Sequence, residues 1–74
     1  MKLTVKLFAY FRDNRFVAEV KQYPEQTTVA DVIADLGIDE KEVGVTMLNS
    51  RHCRLDAHPR EDDILAIFPV IGGG

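Results

Sequence analysis

Three consecutive glycines, Gly72-Gly73-Gly74, follow directly on an apolar run, Ile64-Leu65-Ala66-Ile67-Phe68-Pro69-Val70-Ile71. Their type and spacing point to chemistry more directly than any other residues in the chain. Glycine has no Cβ and the widest backbone freedom. A run of it at a chain end is a slim, mobile tail that can thread a terminal carboxylate into a narrow active site. With Gly74 as the terminus, its α-carboxylate is the reactive group, Gly73 and Gly72 are the stalk, and the body of the protein is a handle. The alternative reading of the same residues is a frayed end or a linker remnant.

The reactive side chains offer less. His52 and Cys53 are adjacent and suggest a base and a nucleophile. Neighbours on a strand point to opposite faces, so the pair is expected not to meet, and Cys53 reads as core packing. One cysteine cannot close an internal disulfide or supply the four ligands of a 2Fe–2S cluster, and no Cys/His group has zinc spacing. His58, before Pro59, falls in a polar loop and reads as solvated. Asp56, Glu61, Asp62 and Asp63 form one acidic cluster, and Asp35, Asp39, Glu40 and Glu42 another. Both read as solvated faces that could complement a basic partner surface; no metal site is expected.

At 74 residues, 46% of them hydrophobic, the chain has the length and composition of one small globular domain. No stretch approaches the ~18–20 apolar residues of a membrane span, and the alternating start, Met1 to Lys6, lacks a signal peptide's apolar core. A small protein without disulfide staples fits the cytoplasm. Nine basic and 12 acidic residues leave a net charge of −3, which argues against a nucleic-acid partner.

The elements that must position the tail follow from periodicity. Lys2 to Phe8 alternates, with Leu3, Val5 and Leu7 on one side, as a half-buried strand does. Arg12 to Arg15 reads as a turn. Phe16, Ala18 and Val20 alternating with Val17, Glu19 and Lys21 predict a second strand and a hairpin. Thr28 is placed to cap a helix and Asp31 to face its positive end. Val29, Val32, Ile33 and Leu36 have the spacing of one buried helical face, and Gly37 can end the helix in a left-handed conformation. Val43 to Leu48 predicts a third strand whose inward parity stays open. Asn49 to Arg51 reads as a turn, His52 to Leu55 as a short fourth strand, and Ala57 to Asp63 as a polar loop. Ile64 to Phe68 is apolar enough for the middle of a sheet.

The order β-β-α-β-β-β, with the helix burying its stripe on one sheet face and the last strand beside the first, is an α+β, β-grasp (ubiquitin-like) arrangement. It predicts a mixed sheet of four to five strands with one main helix. The expected organisation is a single domain over residues 1–71 and a flexible glycine tail over 72–74. Leu65 and Ile67 then face inward, and parity sends Ile64, Ala66 and Phe68, with Phe8 and His52, to the opposite face.

With that element order and glycine ending, the sequence resembles the ubiquitin-like sulfur carriers, above all the small-subunit type of molybdopterin synthase, MoaD. Val5-Lys6-Leu7-Phe8-Ala9-Tyr10-Phe11-Arg12 resembles the family's opening strand and turn, and Leu48-Asn49-Ser50 the end of its third strand. Asp62 through Gly74 resembles its closing strand, Phe-Pro bend and glycine tail. There are departures. Asp62 stands where the family's loop usually has glycine, and Asp tolerates a left-handed backbone better than most residues. Val70 replaces a frequent second proline. A three-glycine ending also occurs in the thiamine-pathway carrier, ThiS.

The resemblance implies a carrier more co-substrate than enzyme, with no bound cofactor. An E1-like enzyme uses ATP to adenylate the carboxylate of Gly74. A sulfurtransferase supplies the sulfur that converts it to a thiocarboxylate. The large molybdopterin synthase subunit, or a thiazole synthase, then uses that sulfur with its own catalytic side chains. The resemblance also implies that Phe8, His52 and Phe68 form an apolar docking patch, with His52 more polar than the family's usual residue. On residue pattern alone the two phenylalanines read as ordinary strand aromatics. A protein modifier joined to lysines through its tail and a plain interaction module are the alternatives to a sulfur carrier.

Overall fold

The computed structural model describes residues 1–71. The tail expected over residues 72–74, including the site positions Gly72, Gly73 and Gly74, lies outside the described residues. Strand β1 (Lys2–Leu7) forms where the alternation predicts it, and Leu3, Val5 and Leu7 are fully buried. A 3-10 turn, Ala9–Arg12, then drops Phe11 into the core, a core residue the alternating pattern does not reveal. Strand β2 (Ala18–Gln22) returns antiparallel to β1.

In β2 the apolar set does not face the core. Glu19 and Lys21 are the cross-strand partners of Val5 and Leu3, so Ala18 and Val20 point away from the core, and Val20 is 63% exposed. The physical reason is that β2 is an edge strand beside the helix flank. Its inward positions meet the helix rim, where Lys21 lays its stem with the ammonium 5.8 Å from the Phe16 ring centroid. Phe16 and Tyr23, flanking the strand, supply the apolar cover. The Tyr23 hydroxyl donates to Asp35 Oδ2 at 2.9 Å. Burial, reinforced by this hydrogen bond, pushes the phenol pKa up.

Helix α1 (Val29–Asp35) begins with a reciprocal capping box. Asp31 N–H donates to Thr28 Oγ1 at 3.1 Å, and Thr28 N–H donates to Asp31 Oδ2 at 3.0 Å. Val29, Val32 and Ile33 are buried, but Leu36 is half-buried and Ile38 joins the core beside it. The helix ends one residue before Leu36, and Gly37 at φ +72° turns the chain so that Ile38 points inward. Arg15 covers the helix C-terminus, donating to the carbonyls of Leu36 and Gly37 at 3.0 and 3.3 Å and to that of Phe11 at 3.2 Å. A cation there satisfies free carbonyls and opposes the dipole's negative end.

Strands β3 (Val43–Leu48), β4 (Arg51–His52) and β5 (Asp63–Pro69) complete a five-stranded sheet in the order β2-β1-β5-β3-β4. β5 runs parallel to β1 in the centre and antiparallel to β3. The pairing settles the open parity of β3. Thr46 and Leu48 lie opposite Ile67 and Leu65 on the helix side, and Val45 and Met47 opposite Phe68 and Ala66 on the other.

The fourth strand stops at His52 instead of reaching Leu55. Beyond it the chain's polar groups have other partners. The Thr46 hydroxyl donates to the Cys53 carbonyl at 2.9 Å, and the carbonyls of Leu55 and Ala57 accept Ala30 N–H and Val29 N–H at 2.9 and 3.0 Å. The segment leaves the sheet to satisfy the first amides of α1, groups that have no partner within their own helix.

Asp62 adopts φ +67°, the left-handed backbone expected of it. Asp63 fixes the turn into β5 by accepting Arg60 N–H at 2.8 Å and an Asn49 side-chain N–H at 2.9 Å. Among the described residues, no helix is long and apolar enough to cross a membrane.

Candidate functional site: the outer sheet face and the chain exit

β1 and β5 run in the same direction, with Leu7 opposite Ile67. The residues just beyond that pair, Phe8 and Phe68, therefore emerge side by side on the face away from α1. Their rings stack with centroids 4.1 Å apart and planes 15° from parallel. Phe8 is extended at the start of the 3-10 turn, and that turn brings Arg12 back over it. The guanidinium carbon lies 5.2 Å from the Phe8 centroid, and Arg12 Nε donates to the Leu7 carbonyl at 2.7 Å. Two half-buried aromatics thus gain a stack and a cation–ring contact, which are contributions beyond simple area burial.

Beside them an open apolar groove of about 520 Å³ runs along β3 and the end of β5. Val45 and Met47 form one bank, Phe68 and Pro69 the other, and Val70 and Ile71 lie at the exit. Val70 and Ile71 are 56% and 78% exposed. His52 lies opposite Met47 and extends the same face at its exposed edge. In sheet position, β3 with Val45 and Met47 separates it from the phenylalanine pair. The structure therefore brings Phe8 and Phe68 into contact and leaves His52 on the rim.

Val45, Met47 and Arg12 also belong to this face, beyond the residues that the sequence pattern singles out. The first two were hidden by the open parity of β3. The two-residue Asn49-Ser50 turn, with φ of +51° and +69°, was the signal that could have fixed it, since such a turn sets hairpin register.

The adjacent His52 and Cys53 diverge. Cys53 is half-buried against the core with Sγ 3.5 Å from Thr46 Oγ1, while His52 is exposed. Several acidic residues serve local structure: Asp31 caps α1, Asp39 accepts Lys41 N–H at 2.9 Å, and Asp63 builds its turn. Asp56 makes an exposed pair with Arg54 at 3.4 Å. His58 Nδ1 lies 3.0 Å from the Gln26 carbonyl on an exposed loop.

One helix across a mixed five-stranded sheet, with parallel central strands and an apolar outer face leading to the chain exit, defines a β-grasp, ubiquitin-like protein. The ThiS family model matches residues 5–74, and the chain belongs to that family of ubiquitin-like sulfur carriers. Solved structures share the fold. The Pyrococcus furiosus protein described as molybdopterin converting factor, subunit 1, has a TM-score of 0.79 and 24% identity, covering 96% of this chain and 99% of that one. Small archaeal modifier protein 1 of Haloferax volcanii has a TM-score of 0.75 and 18% identity, covering 95% and 98%. A chain from the complex of subunits 1 and 2 of the Helicobacter pylori molybdopterin-converting factor has a TM-score of 0.66 and 20% identity, covering 100% of both. No curated protein matches the sequence.

Proposed function

We propose that the chain carries sulfur for the synthesis of molybdopterin, the organic part of the molybdenum or tungsten cofactor, in the cytoplasm. The observation that carries the sulfur-carrier reading is the family match, which spans residues 5–74. The Phe68-Pro69 bend before the tail favours the molybdopterin branch over the thiamine branch.

The proposal takes Gly74 as the residue bearing the free α-carboxylate. A carboxylate is a poor acyl donor because its leaving group would be oxide. Transfer of AMP from ATP, with release of pyrophosphate, gives a mixed anhydride with a good leaving group. Sulfide attack on that carbonyl expels AMP and leaves the thiocarboxylate; a persulfide donor requires a further reductive cleavage. Gly73 and Gly72 keep the approach to this carbonyl clear of side chains. The activating enzyme and the large synthase subunit supply the catalytic groups. Phe8 and Phe68 supply affinity, with His52 at the margin, and so offset the roughly 1–2 kcal/mol per residue needed to order the tail.

The test is incubation with the cognate E1-like enzyme, ATP and a sulfur donor, read by intact mass. Full-length protein is expected to exchange one oxygen for sulfur at Gly74. Protein lacking Gly73 and Gly74 is expected to show no adenylation, and Cys53→Ser is expected to react normally. Thiocarboxylation of the truncated protein would overturn the proposal. Sulfur delivered to a thiazole synthase but not to the large synthase subunit would move it to the thiamine branch. Conjugates on lysines without thiocarboxylate would make it a modifier.

A further inference from the structure

Gly44 lies where β3 passes the end of β5. A Cβ at position 44 would lie 2.9 Å from the Pro69 carbonyl oxygen, 3.0 Å from Val70 Cα and 3.1 Å from the Pro69 carbonyl carbon. All three are backbone atoms, so no change of rotamer relieves the clash. Gly37 is glycine for a different reason. It has φ +72°, and a Cβ there would meet nothing within 4 Å. Gly44 is not in the left-handed region, and what it requires is close approach of another backbone.

Two further features converge on this crossing. The β3–β5 register shifts between Val43 and Val45, so that Val43 faces Pro69 and Val45 faces Phe68. Immediately beyond, Val70 N–H donates to the Glu42 carbonyl at 2.8 Å. The side chains of Val70 and Ile71 are mostly exposed, so backbone contacts, rather than side-chain packing, hold the path at this point.

We propose that Gly44 is a positioning residue for tail activation. Its missing Cβ lets Pro69 and Val70 cross tightly over β3, and that crossing sets the direction in which the chain leaves the domain at Ile71. The functional part of this inference rests on the carrier reading of Gly74; the geometric part does not. A Cβ at position 44 lifts the crossing and opens the Val70–Glu42 hydrogen bond. The Phe8–Phe68 stack is left in place, but the line on which the chain leaves the domain at Ile71 changes. A misplacement of about 1 Å at a reacting group can cost on the order of a hundredfold in rate.

The experiment compares full-length wild type, Gly44→Ala, Gly37→Ala and Val70→Gly. Amide hydrogen exchange is followed at residue 70, and adenylation kinetics are measured with the cognate activating enzyme. Gly44→Ala is expected to speed exchange at residue 70 about tenfold or more. It should lower kcat at least about tenfold while KM for the carrier changes less than about twofold. Gly37→Ala should destabilise the helix end without accelerating residue 70 selectively or lowering kcat. Val70→Gly leaves Gly44 and the core intact but loosens the crossing residue. It should lower kcat in the same direction, and so tests the inference even if Gly44→Ala does not fold. Unchanged kcat in both Gly44→Ala and Val70→Gly would overturn the positioning role. So would a kcat loss matched by Gly37→Ala, or an effect confined to KM. If wild type is not adenylated at all, the carrier reading and the functional part fail together. Unchanged exchange at residue 70 in a folded Gly44→Ala would overturn the geometric part.

Discussion

On one side of β5, Leu65 and Ile67 are completely buried beneath α1; on the other, Ile64 is 40% exposed and Phe68 is half-covered. These side chains alternate along a single strand, yet they answer to different physics. The inner residues exchange water for close-packed neighbours from β1 and the helix, and their shape is constrained by the core. The outer residues are arranged by the sheet without being enclosed by it. Rigid backbone geometry on the inner side is therefore delivered free to the outer side, where aromatic groups can be presented for binding with little effect on folding.

The largest test of that contrast is Leu65→Ala. Truncating a fully buried leucine should cost about 2–5 kcal/mol, read as a clear drop in the midpoint of a thermal or urea transition. A variant as stable as wild type would show that the inner face does not hold the fold. Phe68→Ala should behave in the opposite way. The expected loss is about 2 kcal/mol or more in affinity for the activating enzyme or synthase subunit, against about 1 kcal/mol of stability from the lost stack with Phe8. Titrations run beside melts separate the two. If affinity falls only in step with unfolding, the outer aromatics are structural and the two faces are not distinct. Adding Phe8→Ala should stop activation of an intact tail.

Smaller effects probe how the helix is held against the inner face. Thr28→Ala removes one half of the capping box and should cost about 1 kcal/mol while leaving partner affinity unchanged. The smallest expected effect is a pH dependence at Asp31. Hydrogen bonding from Thr28, its backbone N–H first and then its side chain, lowers the Asp31 carboxyl pKa. A depressed folded-state pKa contributes stability above the unfolded carboxyl range and loses it as pH falls through the folded value. The gap between wild type and Asp31→Asn should accordingly be full at neutral pH and close as pH falls below about 4. A gap that widens in acid would contradict the capping geometry.

The sequence by itself determined the features that depend on local period and local chemistry. Leu3, Val5 and Leu7 on one strand face, the Thr28 and Asp31 cap, the Gly37 stop and the left-handed Asp62 each follow from neighbours a few residues away. The central place of β5 also follows, because so apolar a run does not suit an exposed sheet edge. Tertiary structure alone decided the rest. Ala18 and Val20 turned outward because β2 is an edge strand pairing Lys21 with Leu3, a register set by β1 and invisible within residues 16–22. The strand expected through Leu55 ended at His52 because the carbonyls of Leu55 and Ala57 are needed by the helix start. The Phe8–Phe68 contact joins residues at opposite ends of the chain, and it exists because β1 and β5 run parallel and end together. The tight crossing at Gly44 is likewise a property of two backbones meeting. A sequence records that a side chain is missing there, and only the packed structure shows which chain fills the space.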